Sequence, residues 1–227
     1  MTLPHPENSE TSSFSLRAQH NATRVRPSTM GDAVPPEDTD VVAEVLYSES
    51  AIKARVAELG VEIAEYYRDV SQGSEGLVVL PVMSGAMIFA ADLTRAMRPR
   101  VKGMVVETIK AKSYEGTSSS GTVKVDANAS QINVKDKDVL LVEDIVDTGG
   151  TMVTLENAFY ENGAASVRMV SLIDKTIGRS TETSSLKPHW AGFKLTENKF
   201  VVGYGLDFNG AYRELEYVGV LKPEMYS

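Results

Sequence analysis

Between Val139 and Thr151 the chain changes character twice within thirteen residues, and few folds accommodate that. Val139-Leu140-Leu141-Val142 is a short run of β-branched and aliphatic residues, the composition of a strand buried on both faces in a parallel sheet. Glu143 and Asp144 follow, then Ile145, Val146 and a third acid at Asp147. Thr148-Gly149-Gly150-Thr151 is a turn of small residues, after which Val153, Leu155, Ala158 and Phe159 fall at helical spacing. A strand that runs through a glycine turn into a helix N-terminus aims unpaired amide N–H groups and the helix dipole at one spot. The stretch therefore predicts a phosphate cradle. Acids beside a bound phosphate would repel it, so they are expected to hold ribose hydroxyls, or a divalent cation lying between themselves and the ligand. A sugar phosphate carried with magnesium satisfies both demands. The plainer reading, acids merely solvated at the end of a Rossmann-like strand, needs far less than this ordered pattern.

The whole chain narrows the class. Its 227 residues, 42% of them hydrophobic, suffice for one substantial domain. It has no Cys, which excludes disulfides, thiolate metal sites and a cysteine nucleophile. The formal charge of -8 disfavours a nucleic-acid partner, and no apolar run approaches membrane-spanning length. A soluble, cytoplasmic protein is expected. The three His, at positions 5, 20 and 189, give neither a paired-His metal site nor a Ser-His-Asp triad.

Residues 1–40, rich in Ser, Thr, Asn and Pro and including Pro35-Pro36, are expected to form a flexible extension, with Met30 an alternative start. Arg17, Arg24 and Arg26 among hydroxyl residues suggest a targeting peptide, but Glu7, Glu10 and the lack of an apolar core oppose it. Residues 41–227 would then be the domain. Val41, Val42, Val45 and Leu46 predict a strand, and Ser48 caps a helix with Ile52, Val56, Leu59, Ile63 and Tyr66 on its inner face. A second buried strand, Leu77–Val82, turns through Met83-Ser84-Gly85-Ala86 into a helix carrying Met87, Phe89, Ala90, Leu93 and Met97. Val101 to Ile109 reads as a third strand. The Gly/Ser-rich stretch after Lys112, anchored only by Tyr114, reads as a mobile lid loop between antiparallel arms. Further strands are expected at 166–173, ending at Asp174-Lys175, at 200–207, and at 217–221. Alternating strands and helices predict an α/β fold: a mostly parallel twisted sheet flanked by helices, with ligands at the crevice where strand ends meet glycine turns.

The apolar strand, two acids, two apolar residues and Asp-Thr-Gly-Gly-Thr resemble the phosphoribosyl-diphosphate-binding motif of type I phosphoribosyltransferases. Ser113-Tyr114, Asp174-Lys175, Phe200–Asp207 and Tyr212-Arg213 extend the resemblance, from about Val41 to Tyr226, to the hypoxanthine-guanine phosphoribosyltransferases. This implies a small hood built from N- and C-terminal segments, and transfer of a phosphoribosyl group to N9 of hypoxanthine or guanine with release of pyrophosphate. Glu143 and Asp144 would face the ribose hydroxyls and magnesium, with Asp207 at a second magnesium. Asp147 would lie near N7 of the purine as proton acceptor or electrostatic partner. Thr148, Gly149, Gly150 and Thr151 would hold the 5′-phosphate, Lys175 would donate to O6, and Phe200 would stack on the base. Main chain around Val201 would read the base edge, Arg213 would contact pyrophosphate, and Ser113 and Tyr114 would belong to the lid. Relatives form homodimers or homotetramers.

Two departures stand out. Ser84-Gly85 lies where the family often carries Lys-Gly with a non-proline cis peptide, so a lysine charge on pyrophosphate is missing although the amides remain. Gly150 replaces a Lys found in some members. The rival acceptors are xanthine or a pyrimidine, and the rival class is an RNA-binding, nucleotide-sensing regulator, which the acidic total opposes.

Overall fold

The computed structural model describes residues 32–70, 74–112, 124–125, 131–177, 179, 183 and 186–226. The first strand, β1, spans Val42–Tyr47, and helix α1, Glu49–Val70, follows at once. Ser48 accepts the first helical bond from Ile52 N, and its Oγ lies 3.4 Å from Ala51 N. Ile52, Val56, Leu59 and Ile63 are buried as their spacing predicts, but at the next turn it is Tyr67 that is fully buried and Tyr66 only partly. The second unit repeats the order, with β2 at Leu77–Met83 and α2 at Met87–Ala96. The expected strand over 101–109 is instead two short strands, β3 at Val105–Val106 and β4 at Ile109–Lys112. Gly103 at φ +72° breaks the run, and both valines of β3 are exposed, so apolar composition there does not signal burial.

After the two-residue β5 (Lys124–Val125), antiparallel to β4, come β6 at Asp138–Val146, α3 at Gly150–Glu161 and β7 at Ser166–Lys175. The next strand, β8 at Trp190–Leu195, was not anticipated from the sequence. Its inward Trp190 packs edge-on against Tyr66 at 5.2 Å. The last two strands are β9, Val201–Val202, and β10, Val218–Leu221. The expected strand over 200–207 stops after two residues, because Gly203, Tyr204 and Gly205 all have positive φ and fold the chain back on itself.

The main sheet has the order β5-β4-β2-β6-β7-β8, with β3 beside β2, and its β2, β6, β7 and β8 are mutually parallel. Period-two alternation divides its side chains between two cores. Val79, Leu140, Val142 and Leu172 pack under α1 and α2, while Val78, Leu80, Val139 and Leu141 pack under α3. A second sheet, β1-β10-β9, is built from the two ends of the described chain around Val42, Val45, Val202, Tyr217 and Leu221. Residues from the expected extension dock on it: Pro36–Asp38 form a 3-10 turn, and Tyr217 Oη donates to Asp38 at 2.6 Å. Tyr47 stacks on Phe193 at 4.1 Å and ties the two sheets together. Arg55 of α1, 2% exposed, donates to the carbonyls of Ala191 and Gly192 in β8 and pairs outward with Glu58 and Glu62. Among the described residues no helix is long and apolar enough to cross a membrane.

His189, at the entry to β8, accepts a hydrogen bond at Nδ1 from the amide of Met169, which requires the neutral ring. Burial first, and the nearby Arg168 charge second, push its pKa down from 6.5 to about 4. Between those two values the unfolded chain binds a proton that the native chain refuses, so the stabilisation is complete above about pH 6.5 and declines as pH falls toward 4. The urea midpoint of the wild-type protein should therefore drop more steeply between pH 7 and pH 4 than that of His189→Asn; parallel curves for the two proteins would remove His189 from the account.

Candidate active site

Parallel strands end on the same side of a sheet, so β2, β6 and β7 deliver three segments to one edge: Ser84-Gly85, Glu143–Thr151 and Asp174-Lys175. The apolar run of β6 is interrupted near its C-terminal end by Glu143 and Asp144, before the strand closes on Ile145 and Val146. Asp144 is buried, and Glu143 is partly buried with its Oε2 enclosed. Burial, and then the neighbouring Asp144, push the Glu143 carboxyl well above the usual range, and its Oε2 has no hydrogen-bond partner among the described residues. Asp144 is also raised by burial, against the opposing effect of the Ile145 amide, which donates to its Oδ1 at 2.7 Å. Two enclosed carboxyls, one of them with an unsatisfied oxygen, suit a cation. Among the described residues no three His, Cys, Asp or Glu side chains converge as a closed site. Magnesium held by one or two carboxylates and completed by substrate oxygens needs no such cluster.

The turn after β2 fits against this pair. The Met83–Ser84 peptide is cis. A Cβ on Gly85 would overlap the Asp144 carboxylate, and a Cβ on Gly205 would overlap the Gly85 carbonyl, so the two backbones and the acid are in direct apposition. After β6, Gly149 takes the left-handed conformation at φ +82° and starts α3. The first amides of that helix have no intrahelical acceptor, and its first turn carries no acid, so Gly150 and Thr151 lie at an anion-receptive helix start. A Cβ at Gly150 would meet nothing within 4 Å, so the position has room for a side chain.

Lys175 Nζ, largely buried, donates to Asp147 Oδ2 at 2.9 Å. Both line a cavity of about 200 Å³ together with Asp144, Phe200, Val201 and Asp207. Phe200 is 39% exposed, and Tyr226 stacks beside it at 5.3 Å, so its ring reaches the site as a partly open aromatic surface. Asp207 Oδ1 pairs with Arg213 Nη2 at 2.7 Å, and Arg213 Nη1 donates to the Gly205 carbonyl at 2.6 Å. The Arg213 charge also acts on Asp144, offsetting part of the upward shift that burial causes. The structure thus brings together Gly85, Asp144, Asp147, Lys175, Phe200, Val201, Asp207 and Arg213. Ser113 and Tyr114 lie outside the described residues. Sequence reading passed over three contributors. Lys199 and Leu206 complete the cavity wall. Arg179 donates to the carbonyls of Val146 and Asp147, and its only signal in the sequence was a cation four positions after Lys175.

Comparison with known proteins agrees with this geometry. The family model described as the phosphoribosyl transferase domain matches residues 43–209. The hypoxanthine-guanine phosphoribosyltransferase of Lactococcus lactis is 39% identical over 187 residues, covering 82% of this chain and 94% of the relative. The bifunctional protein TilS/HprT of Listeria monocytogenes is 40% identical over 189 residues, but the match spans only 27% of that longer protein. The crystal structure of a hypoxanthine phosphoribosyltransferase from Staphylococcus aureus superposes with a TM-score of 0.72 at 30% identity, covering 86% of this chain and all of the other. With the family model matched over residues 43–209 and a relative 39% identical covered over 94% of its length, the chain belongs to the phosphoribosyltransferases, and among them to the hypoxanthine-guanine phosphoribosyltransferase family.

Proposed function

We propose that residues 41–227 form a purine-salvage enzyme that transfers the phosphoribosyl group of 5-phosphoribosyl 1-diphosphate to N9 of hypoxanthine or guanine, giving IMP or GMP and pyrophosphate. The observation that carries this reading is the Lys175–Asp147 pair, 2.9 Å apart on the wall of a cavity that also holds Phe200 and Val201. A 6-oxo purine presents an acceptor at O6 and a titratable proton on its imidazole edge. An ammonium group has three donors, so Lys175 can keep its bond to Asp147 and still donate to O6. Asp147 accepts the proton that the base loses as the N9–C1′ bond forms and the C1′–O bond to pyrophosphate breaks. Phe200 stacks on the ring, and the main chain at Val201 reads its edge.

On the sugar side, Glu143 and Asp144 bind the ribose hydroxyls, and Thr148, Gly149, Gly150 and Thr151 bind the 5′-phosphate through amides and hydroxyls. Ser84 and Gly85 hold pyrophosphate through main-chain amides. Arg213 supplies the charge that stabilises the departing group, and the family resemblance supports counting Ser113 and Tyr114 among the substrate-binding residues. Magnesium is the expected cation, held by Glu143 and Asp144 on the ribose side and by Asp207 on the other, where it would neutralise charge building on the leaving oxygens. The family resemblance supports a homodimer or homotetramer working in the cytoplasm. Met87, Val105 and Val106, each close to half exposed, offer apolar surface for such an assembly.

The direct experiment is nucleotide formation from phosphoribosyl diphosphate and magnesium across a panel of bases. Hypoxanthine and guanine should be consumed; equal or better use of uracil or orotate would refute the purine assignment. Adenine sets a donor against the Lys175 donor, and an unpaired buried donor costs about 1–3 kcal/mol, so kcat/KM should fall roughly 5- to 150-fold relative to hypoxanthine. Lys175→Ala should narrow that ratio, and a ratio that survives the substitution would take discrimination away from Lys175. Asp147→Ala should lower turnover by about 10²–10⁴-fold while leaving phosphoribosyl-diphosphate binding largely intact; unchanged turnover would end its role as proton acceptor.

A further inference from the structure

The ladder between β6 and β7 ends at the pair Val146–Asp174, so sheet pairing does not fix the next peptide, which carries Asp147. Arg179 occupies that position. Its side chain is 4% exposed. Nε donates to the Asp147 carbonyl at 3.0 Å, Nη2 to the Val146 carbonyl at 2.9 Å and to the Asp174 carboxylate, and Nη1 to the Leu186 carbonyl at 2.7 Å. Leu186 in turn packs against Gly149, where a Cβ would meet its Cδ2 at 2.5 Å. One planar group therefore joins the end of β6, the end of β7 next to Lys175, and the segment lying on the glycine turn.

We propose that Arg179 is a positioning residue for the transfer reaction: it fixes the peptide of Asp147, and with it the direction in which the carboxylate meets both Lys175 and the base. The inference rests on the roles assigned above to Asp147 and Lys175. The guanidinium suits the task because its donors are set in a rigid fork, so bonds to successive carbonyls define an orientation that a flexible ammonium would not. A displacement of about 1 Å at a reacting group can cost about 10²-fold in rate.

The alternative is that Arg179 only neutralises Asp174, whose side chain is 14% exposed. Removing the arginine alone would leave that carboxylate enclosed and uncompensated, and instability would obscure any effect on rate. The informative variant is thus Arg179→Gln with Asp174→Asn, which removes both charges, made in the wild-type and in the Asp147→Ala backgrounds. Turnover of hypoxanthine with phosphoribosyl diphosphate and magnesium, the KM of each substrate, and thermal melting would be measured for all four proteins. In the wild-type background turnover should fall about 10- to 100-fold and the KM for the base should rise, with melting within a few degrees of wild type. In the Asp147→Ala background the same pair of changes should cost less than about threefold, because residues that act through one another are not additive. Turnover within twofold of wild type, an equal loss in both backgrounds, or loss of folded protein would each overturn the proposal. A wild-type protein that forms no nucleotide from any base would instead reject the enzymatic reading on which it stands.

Discussion

The parallel pairing of β6 between β2 and β7 governs where everything else in the site can lie. Three strands running the same way end together, so turns far apart in the sequence meet at one edge. The same pairing requires helices on both faces, and those helices exclude water from β6 as far as Glu143 and Asp144. Burial there is unfavourable for two adjacent carboxylates, and their upward shifts record it. The acids thus arrive enclosed and partly unsatisfied, a state that a cation and two ribose hydroxyls would relieve. The helix start after Gly149 lies a few residues on, with donors where the strand end has acceptors. A segment so arranged would sort a negative phosphate from a positive metal.

The base side obeys a different constraint, that of close backbone approach. Gly85 lies against the Asp144 carboxylate, and Gly205 lies against the Gly85 carbonyl. A side chain at either position would force the sheet edge and the 203–207 turn apart. Arg213 strengthens the same junction by bonding the Gly205 carbonyl and Asp207 together. The second sheet is therefore seated on the Ser84-Gly85 turn itself, which brings Phe200 and Val201 to the cavity wall near Asp147 and Lys175.

Sequence reading succeeded wherever the determinant was local. The motif strand, its acids, the glycine turn and the following helix are contiguous, and so were visible in thirteen residues. It failed where partners lie far apart. Arg55 looks like one more charge on an amphipathic helix, and only the fold shows the buried carbonyls of Ala191 and Gly192 that accept from it. The β8 strand escaped notice because Trp190–Leu195 is short and contains Gly192 and Lys194, while its burial comes from α1. Over 200–207 the aromatic and β-branched composition argued for a strand, yet Gly203 and Gly205 were the better guide, since positive φ at both turns the chain away from extended geometry. Arg179 shows the same limit within the site. Its four acceptors come from three separate segments, and nothing in its immediate surroundings distinguishes it from a solvated cation.

The second sheet takes β1 from residues 42–47 and β10 from 218–221, and β10 is its central strand. During synthesis on the ribosome, β2, β6, β7 and the helix starts are all made before β10 exists. A nascent chain can thus complete the glycine turn and helix start after β6 while β1 and β9 still lack the strand between them. The β9 strand beside the cavity gains its sheet partner only once residues 218–221 have emerged. Under the proposed function, recognition of the sugar phosphate and recognition of the purine would be separated in the birth order of the molecule, and a chain stopped short of β10 would carry the β6 edge without a seated β9.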